Sequence, residues 1–356
     1  MTWLKWLKTW EFALIVALVV EILILGAINP SFLSINNLLF STSDFTHVIF
    51  AALGLTLVII TGGIDISGVS VMGLASITLG LTWVASHDIN LAVAVALLVG
   101  CLAGAFNGAF VAFTDISPLV ITLGSMFMFA GIATGLPGIL AYLGFHAYGA
   151  GGFAAYQYEG ITGLPPEFGN LALGSIGPVP HPLIAVLAIA AILSVVLHRT
   201  AFGRYLYLIG VNPGAARYSG APVKTVLIGV YTISGVCAAV AGVMLTSYFT
   251  SARSDLGSEA LLPVITAVVL GGASILGGSG TVVGTLLAGL VVGFLRQGLL
   301  ALGVISSVVP VVVGGLLIAI VAAKLLTADL SLKRRNQRAY RTLKAGEGLP
   351  AGKGVN

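Results

Sequence analysis

Between Lys8 and Arg199 the sequence contains no lysine or arginine, and long apolar runs fill most of that interval. Only 8% of all residues are charged, whereas soluble globular chains carry about 25%. A chain with so little polar surface cannot stay dissolved in water. The composition therefore excludes a soluble enzyme, a disordered chain and a nucleic-acid-binding protein, and indicates an integral membrane protein.

The basic residues cluster in three places along the chain. Lys5 and Lys8 precede the first apolar run, a second group lies within 199–224, and a third follows the last apolar run. Positively charged residues collect on the cytoplasmic side of membrane proteins. We therefore predict that both termini and the 199–224 segment are cytoplasmic. An even number of spanning helices must then lie on each side of that segment.

The apolar runs accommodate ten membrane-spanning helices, since a helix needs about 20 apolar residues to cross the hydrocarbon core. Six runs precede the 199–224 segment and four follow it, so the count agrees with the charge pattern. The predicted spans are 12–28, 45–61, 67–86, 90–113, 118–136, 182–198, 224–246, 262–276, 280–301 and 304–324. The predicted fold class is all-α, a polytopic transmembrane helical bundle with glycine-rich breaks.

Three regions are predicted along the chain. Residues 1–11 form an interfacial anchor on the cytoplasmic side, because tryptophans and lysines recur there at helical spacing. Residues 12–325 form the transmembrane domain, which includes a periplasmic segment at 137–181 and the cytoplasmic 199–224 segment. Residues 326–356 form a basic cytoplasmic tail, whose charge suits anionic membrane lipid rather than nucleic acid.

Two glycine-rich breaks follow apolar runs at corresponding places in the two halves of the chain, at 61–70 and 271–280. Paired breaks of this kind indicate a translocation pathway, since unwound backbone at membrane depth is tolerated only inside protein or beside water. The alternative interpretation is that both are tight cytoplasmic turns. The candidate pathway residues are Gly62, Gly63, Asp65, Ser67, Asn107, Gly271, Gly272, Ser274, Gly277 and Gly278.

Two polar residues in this set each have two interpretations. Asp65 either accepts hydrogen bonds from hydroxyl groups of a substrate or, with Ser67, caps the N-terminus of the third helix. Asn107 lies on a ridge of glycines at 100, 104 and 108, a pattern typical of close helix packing. Asn107 therefore either bridges two helices or faces the pathway.

The 199–224 segment contains a short predicted helix. Asn212 can act as its N-cap, Pro213 suits the first helical position, and Gly220 can take the left-handed position after its end. So short a helix is not stable alone, so it needs a partner surface or packs against its own chain. The candidate residues for coupling to a partner are Gly210, Asn212, Ala215, Ala216, Arg217 and Gly220.

These motifs resemble, in the same order along the chain, those of the ribose-type ABC importer permeases of the branched-chain amino acid/ribose permease superfamily. The 200–220 stretch resembles the family's cytoplasmic coupling segment, and 61–70 resembles its Gly-Gly-Ile-Asp-Leu-Ser motif. The stretches 104–124 and 268–285 match two further family motifs. The chain departs from the pattern at Gln297, where the family usually has asparagine.

The resemblance implies a permease subunit of the bacterial inner membrane that works as a pair with a second permease copy, identical or homologous. ATP-binding cassette subunits would dock from the cytoplasm, and a periplasmic substrate-binding protein would deliver a pentose, hexose or related polyol. The chain has no phosphate-binding loop of its own, so ATP and magnesium would bind the partner ATPase. We expect no bound cofactor and no enzymatic activity in this chain.

Two other functions compete with this one. A branched-chain amino-acid permease would need fixed charges or helix N-termini for a zwitterion, and this chain has almost no intramembrane charge. A stand-alone secondary transporter would need several ion-coupling acids, and Glu21 and Asp65 are too few. The histidines have no metal-binding spacing, so no metal site is predicted. Arg296, near the outer end of the ninth span, is predicted to extend outward to water.

Overall fold

The computed structural model describes residues 10–142 and 160–320, together with Ala322. The only strands in these ranges form a two-residue hairpin, β1 (Ser175–Ile176) paired antiparallel with β2 (Val179–Pro180). Almost all remaining regular structure is helical, which confirms the predicted all-α class. The predicted anchor, apart from its last two residues, and the predicted basic tail lie outside the described residues.

The helices before residue 143 are α1 (Trp10–Ile28), α2 (Ile35–Ser41), α3 (Thr46–Ile60), α4 (Gly68–Ser86), α5 (Ile89–Phe113) and α6 (Pro118–Tyr142). Short 3₁₀ turns at Pro30–Leu33 and Thr42–Asp44 flank α2. The later helices are α7 (Pro166–Leu173), α8 (His181–Arg199), α9 (Ala201–Val211), α10 (Pro213–Tyr218), α11 (Val223–Phe249), α12 (Leu261–Leu270), α13 (Val282–Ala301) and α14 (Val309–Ile320). A 3₁₀ turn at Ser258–Ala260 leads into α12.

Seven of the described helices are long and apolar enough to cross a membrane, namely α1, α4, α5, α6, α8, α11 and α13. The segment comprising α2 and its 3₁₀ turn meets α3 at 61° and gives an eighth span if the bent pair is counted as one. The helices α12 and α14 are apolar but shorter. Each of the ten predicted spans therefore contains a helix, although length alone supports seven or eight.

The helices before the two glycine-rich breaks are short. With a rise of 1.5 Å per residue, the 15 residues of α3 extend about 22 Å and the 10 residues of α12 about 15 Å, less than the ~30 Å of hydrocarbon. The predicted 262–276 span was too long, because α12 ends at Leu270 and Gly272 then turns the chain with φ +97°. Neither helix is therefore long enough by itself to cross the hydrocarbon core.

The helix α11 packs closely against α5 through glycines. A Cβ atom added at Gly104 would lie 2.2 Å from the Tyr231 carbonyl oxygen, and one at Gly235 would lie 2.2 Å from the Gly100 carbonyl oxygen. The predicted packing ridge on α5 is thus confirmed, since side chains there would separate the two backbones. Cys237 is buried in the same core and Cys101 is partly buried, and both are free thiols.

The bundle has one end that we call the basic end, defined by Arg199, Arg204, Arg217 and Lys224. These residues lie at the end of α8, in α9 and α10, and at the start of α11. The last turn of α5 is at the same end, because the Lys224 ammonium lies 4.5 Å from the centroid of the Phe113 ring. We refer to the other end as the opposite end.

Candidate functional site

The first break enters the bundle as an irregular segment. After α3, Gly62 turns the chain with φ +81°, and residues 63–66 have no regular secondary structure before α4 begins at Gly68. Burial alternates along the segment, with Gly63, Asp65 and Ser67 buried and the two intervening isoleucines partly exposed. The hydroxyl of Thr122 on α6 donates to the Ile64 carbonyl at 3.1 Å. The segment therefore presents its polar side chains to the interior.

The Asp65 carboxylate is the centre of a hydrogen-bond network. Its Oδ1 accepts from the Ser67 backbone N–H at 3.0 Å and from the Ser67 hydroxyl at 2.7 Å. Its Oδ2 accepts from the Ser234 hydroxyl on α11 at 2.9 Å, and the Asn107 side-chain amide donates to the Ser67 hydroxyl at 2.7 Å. Asp65 thus binds the N–H of Ser67, the residue before α4, but the Ser67 side chain makes no capping hydrogen bond to that helix, so Ser67 does not cap it as predicted. Asn107 bridges two elements. A role of Asp65 or Asn107 toward substrate stays a prediction.

Asp65 lies deep in the bundle. Its partner Ser234 is about 16 Å along α11 from the first residue of that helix. A Cβ atom at Gly68, three residues beyond Asp65, would lie 3.7 Å from the Ala238 side chain, higher still on α11. This depth favours the interpretation of the first break as unwound backbone inside the protein over a turn at its surface.

The Asp65 network has unused hydrogen-bonding capacity. Asn107 Oδ1 and the Tyr231 hydroxyl are buried and have no hydrogen-bond partner among the described residues. The Tyr231 hydroxyl lies against Gly63, where an added Cβ atom would be 2.6 Å away. Because unpaired buried polar groups are costly, a hydroxyl-bearing molecule or water entering here would gain hydrogen bonds that the protein leaves unmade.

The second break folds back on itself and meets the first. The Ser274 N–H donates to the Ser279 carbonyl at 3.0 Å, and the Gly278 N–H donates to the Ile60 carbonyl at 2.9 Å. A Cβ atom at Gly277 would lie 2.9 Å from the backbone of Gly62. Gly277 and Gly278 have positive φ, which side chains rarely tolerate.

The last turn of α9 completes this contact. A Cβ atom at Gly210 would lie 1.9 Å from the Ile60 carbonyl oxygen and 2.4 Å from the Gly278 nitrogen. The Tyr207 hydroxyl donates to the Gly280 carbonyl at 2.8 Å, and partial burial raises the Tyr207 pKa. We call Gly62, Gly210, Gly277 and Gly278 the glycine junction. It lies next to α10 at the basic end, so three segments distant in sequence touch there through backbone atoms.

The remaining predicted pathway residues of the second break lie apart from Asp65. Gly271 packs on α13, where an added Cβ atom would be 2.6 Å from the Thr285 backbone. Gly272 packs on the Trp10 ring, and a Cβ atom added there would be 3.0 Å from the nearest ring carbon. The start of α1 holds this loop, because the Trp10 indole N–H donates to the Leu270 carbonyl at 2.6 Å. The Thr281 hydroxyl donates to the Glu11 carboxylate at 3.1 Å. Ser274 lies in the same loop, partly buried.

The predicted short helix after α9 is present as α10. The Asn212 side-chain oxygen accepts from the Ala215 N–H at 3.0 Å, Pro213 is its first residue, and Gly220 follows it with φ +81°. Of the α10 residues only Ala216 is buried. The surface around α10, which we call the coupling surface, exposes Val211, Ala215, Arg217, Tyr218 and Leu276.

A cavity at the opposite end, with charged residues in its wall, was missed by the sequence analysis. It has a volume of about 510 Å³, and we call it the outer cavity. Five charged residues line it: Asp44, Arg253, Asp255, Glu259 and Arg296. Arg296 forms part of this wall, and its predicted extension outward to water stays a prediction. The rarity of charge was the available signal, because Arg253 and Arg296 are the only basic residues between Lys224 and Lys324.

Side chains from three distant segments converge in the outer cavity. The Tyr248 hydroxyl at the end of α11 donates to Asp44 Oδ1 at 2.6 Å, and the Gln297 side-chain amide on α13 donates to Asp44 Oδ2. Arg253 forms an ion pair with Asp255, and this hydrogen bonding raises the Arg253 pKa. Within the described ranges, no group of three or more His, Cys, Asp or Glu side chains is placed to hold a metal ion.

Comparisons with known proteins place this architecture among transport proteins. A family model described as "Branched-chain amino acid transport system / permease component" matches residues 37–321, more than half of the chain. The autoinducer 2 import system permease protein LsrD of Klebsiella pneumoniae subsp. pneumoniae is 46% identical over 330 residues, 93% of this chain and 94% of that protein. No solved structure matches the chain.

Two further relatives carry the same name. LsrD of Photorhabdus temperata is 44% identical over 342 residues, which cover 96% of this chain and 98% of that protein. LsrD of Escherichia coli strain K12 is 44% identical over 341 residues, with the same two coverages of 96% and 98%. The similarity therefore extends over the first break, the second break, α10 and the outer cavity together.

Proposed function

This chain belongs to the family of branched-chain amino acid transport system permease components, and we propose that the substrate it translocates is autoinducer-2, a sugar-like molecule. It is the membrane-spanning subunit of an ATP-binding-cassette importer in the bacterial inner membrane, and it is not itself an enzyme. The observation that supports this choice of substrate is the 44–46% identity to LsrD permeases over nearly the whole chain.

The buried charge of the bundle agrees with a neutral, hydroxyl-bearing substrate. Asp65 is the only acidic or basic residue that is buried in the described part of the chain. A zwitterionic amino acid would need a fixed positive charge or a helix N-terminus for its carboxylate and a negative charge for its ammonium group, and no basic side chain is buried in the described part of the chain. The Asp65 network instead offers hydroxyls, an amide and an acceptor, which suit polyol hydroxyl groups.

We propose that the chain crosses the membrane ten times with the basic end in the cytoplasm. The bent α2–α3 pair counts as one span, and α12 and α14 supply two short ones. The positively charged residues of α8 to α11 support this orientation, since such residues remain on the cytoplasmic side. Both termini then lie in the cytoplasm, and the outer cavity faces the periplasm.

The proposed mechanism couples α10 to the pathway through the glycine junction. An importer of this family works with ATP-binding cassette subunits and a substrate-binding protein. We propose that the ATPase, with ATP and magnesium on that partner, docks on the coupling surface and moves α10. Because Gly210 touches the Ile60 carbonyl and the Gly278 amide directly, the movement reaches both breaks without an intervening side chain.

The two breaks then have complementary roles in this proposal. Gly63, Asp65, Ser67 and Asn107 line the pathway, and the second break, with Gly271, Gly272, Ser274, Gly277 and Gly278, gates it. A second permease copy completes the pathway from the other side, and exposed apolar residues on the outer helices contact lipid. The deep position of Asp65 and the backbone contacts of the junction support this division.

The test of substrate uses uptake by cells. We delete the gene in a host that clears autoinducer-2 from its medium, and restore this chain with or without an intact ATPase gene. Clearance should be lost on deletion and return only when both are present. Parallel uptake of ribose and leucine distinguishes the alternatives: loss of leucine uptake alone would establish the amino-acid alternative and contradict the proposal.

The test of coupling uses a charge reversal on α10. Arg217→Glu should reduce ATP-dependent uptake about tenfold or more, since a charge pair at a protein interface commonly contributes over 1.4 kcal/mol. Arg199→Glu is the matched control, because it reverses an exposed charge at the same end outside α10. Equal uptake by both variants, at equal membrane levels, would contradict the coupling role.

A further inference from the structure

We propose that the outer cavity is a binding site for a neutral polyhydroxylated molecule, which occupies it before moving on to Asp65. The inference rests on the proposed import function and adds a second, outer subsite to it. At about 510 Å³, the cavity lies within the range of about 300–1,000 Å³ that small-molecule sites usually have.

The Asp44 carboxylate is the fixed acceptor of this site. Tyr248 and Gln297 each donate a hydrogen bond to one of its two oxygens, so the carboxylate is held in one orientation. A carboxylate has about four acceptor positions, so both oxygens keep capacity for ligand hydroxyls. Such preorganised charge-assisted acceptors give strong and directional hydrogen bonds.

Arg296 is the free donor of the site. Its guanidinium lines the cavity yet makes no ion pair or hydrogen bond with any described residue. A donor and an acceptor across one cavity match hydroxyl groups, which both donate and accept.

The charge balance of the cavity decides against an anionic ligand. Three acids and two bases line it: Asp44, Asp255 and Glu259 against Arg253 and Arg296. Arg253 is moreover already paired with Asp255. A ligand carrying a negative charge would meet a net negative wall, whereas a neutral polyol meets none of that repulsion.

One face of α3 runs from the outer cavity to the neighbourhood of Asp65. Val48 on α3 lines the cavity, while Ala51 and Leu55, on the same face of α3, line a small cleft that also contains Asp65. From Val48 to Leu55 is about 10 Å along the helix. All three side chains are buried, so a molecule leaving the cavity must displace packed apolar side chains to reach Asp65.

Gln297 is the residue that we assign to positioning and selectivity. Its side-chain amide, on α13, donates a hydrogen bond to one oxygen of the Asp44 carboxylate. Gln297 therefore helps to orient the carboxylate that accepts hydrogen bonds from the ligand.

The experiment uses the assembled importer in proteoliposomes with its binding protein loaded with autoinducer-2. We compare Arg296→Gln and Gln297→Asn with Glu167→Gln, an exposed charge-removing control on the first turn of α7, outside the cavity. Two quantities are measured: the maximal uptake rate and the concentration of loaded binding protein that gives half of it. Competition by excess free ribose measures selectivity.

We expect Arg296→Gln to lower the maximal uptake rate about tenfold, because the ligand loses a hydrogen bond from a charged donor. We expect Gln297→Asn to lower it about fivefold, because Asp44 loses the hydrogen bond that orients it. The half-saturating concentration should stay unchanged, because docking of the binding protein is unaffected. Gln297→Asn should also change inhibition by ribose, which a purely structural role would not do.

Each of the other outcomes contradicts a specific part of the proposal. If wild-type importer takes up no autoinducer-2, the proposed function fails and the outer subsite fails with it. If wild type transports while both variants equal Glu167→Gln, the subsite fails and the function stands. If the half-saturating concentration rises instead of the rate falling, the cavity is a docking surface for the binding protein and not a ligand site.

Discussion

The first glycine-rich break carries a buried acid, whereas the second carries none. In the first, the Asp65 carboxylate accepts hydrogen bonds from Ser67 and from Ser234, which lies about midway along α11. In the second, the loop closes on its own backbone and packs against Trp10. Two glycine-rich segments therefore occupy different depths and make different contacts.

The difference shows that glycine content marks a break but does not define its environment. The first break continues into α4, which starts beside the middle of α11, so its chain must climb through the interior. The second break continues into α13, and its loop stays at the basic end near α9. The position of the following helix thus decides whether the break is a buried polar segment or a compact loop.

The largest expected effect comes from disrupting the junction that the two breaks share. Gly210→Ala would place a methyl group 1.9 Å from the Ile60 carbonyl oxygen, so the backbones must separate. We expect destabilisation by about 3 kcal/mol, at the upper end of overpacking costs. Thermal unfolding of the purified permease would show it, together with loss of uptake.

Gly124→Ala is the control for that change, because its added Cβ atom meets nothing within 4 Å. It should be neutral or slightly stabilising, since alanine favours a helix over glycine by about 1 kcal/mol. Equal melting temperatures for the two variants would contradict the tight contact at Gly210.

A smaller effect is expected from removing the acid of the first break alone. Asp65→Leu leaves the Ser67 and Ser234 hydroxyls without their acceptor, at a cost of about 2 kcal/mol. Ser274→Ala in the second break should change stability by less than about 0.5 kcal/mol, as most partly exposed substitutions do. Thermal unfolding compares the two. Asp115→Leu removes an exposed acid and controls for the loss of charge. If it lowered stability as much as Asp65→Leu does, the hydrogen-bond network would not be the source of the effect.

A smaller effect than that of Asp65→Leu is expected at the contact of α1 with the second break. Trp10→Phe removes the hydrogen bond to the Leu270 carbonyl, worth about 1 kcal/mol. Backbone amides of residues 271–281 should exchange hydrogen faster, and those of 61–67 should not. Trp83→Phe removes a similar bond to the Gly163 carbonyl at the opposite end and should leave both breaks unchanged. Faster exchange in both breaks after Trp10→Phe would show that they open together.

The helices, the short helix α10 and the packing ridge were predictable because each depends on residues close in sequence. Apolar run length locates a helix, and Asn212, Pro213 and Gly220 define the ends of α10. The end of α12 was predicted six residues late, since the run of apolar residues continues past the glycines that stop the helix. Hydropathy does not distinguish a helix from an apolar loop.

The convergence of distant residues was not predictable from local patterns. Asp44 meets a tyrosine 204 residues later and a glutamine 253 residues later in the outer cavity. Similarly, Asp65 finds Ser234 at a separation of 169 residues. A single sequence offers no measure of such proximity, so the outer cavity was missed although its charged residues were unusual in this chain.

The contacts of Trp10 and Glu11 have a consequence for biosynthesis. Their partners lie 260 and 270 residues later in the chain. At a synthesis rate of about 5–20 residues per second, α1 waits about 13 to 52 seconds in the membrane before Leu270 has been made. During that time the residues of the second break that α1 will contact have not yet been synthesised. The ribosome has made about three quarters of the printed sequence before α1 and the second break can meet, so this part of the bundle is assembled late in translation.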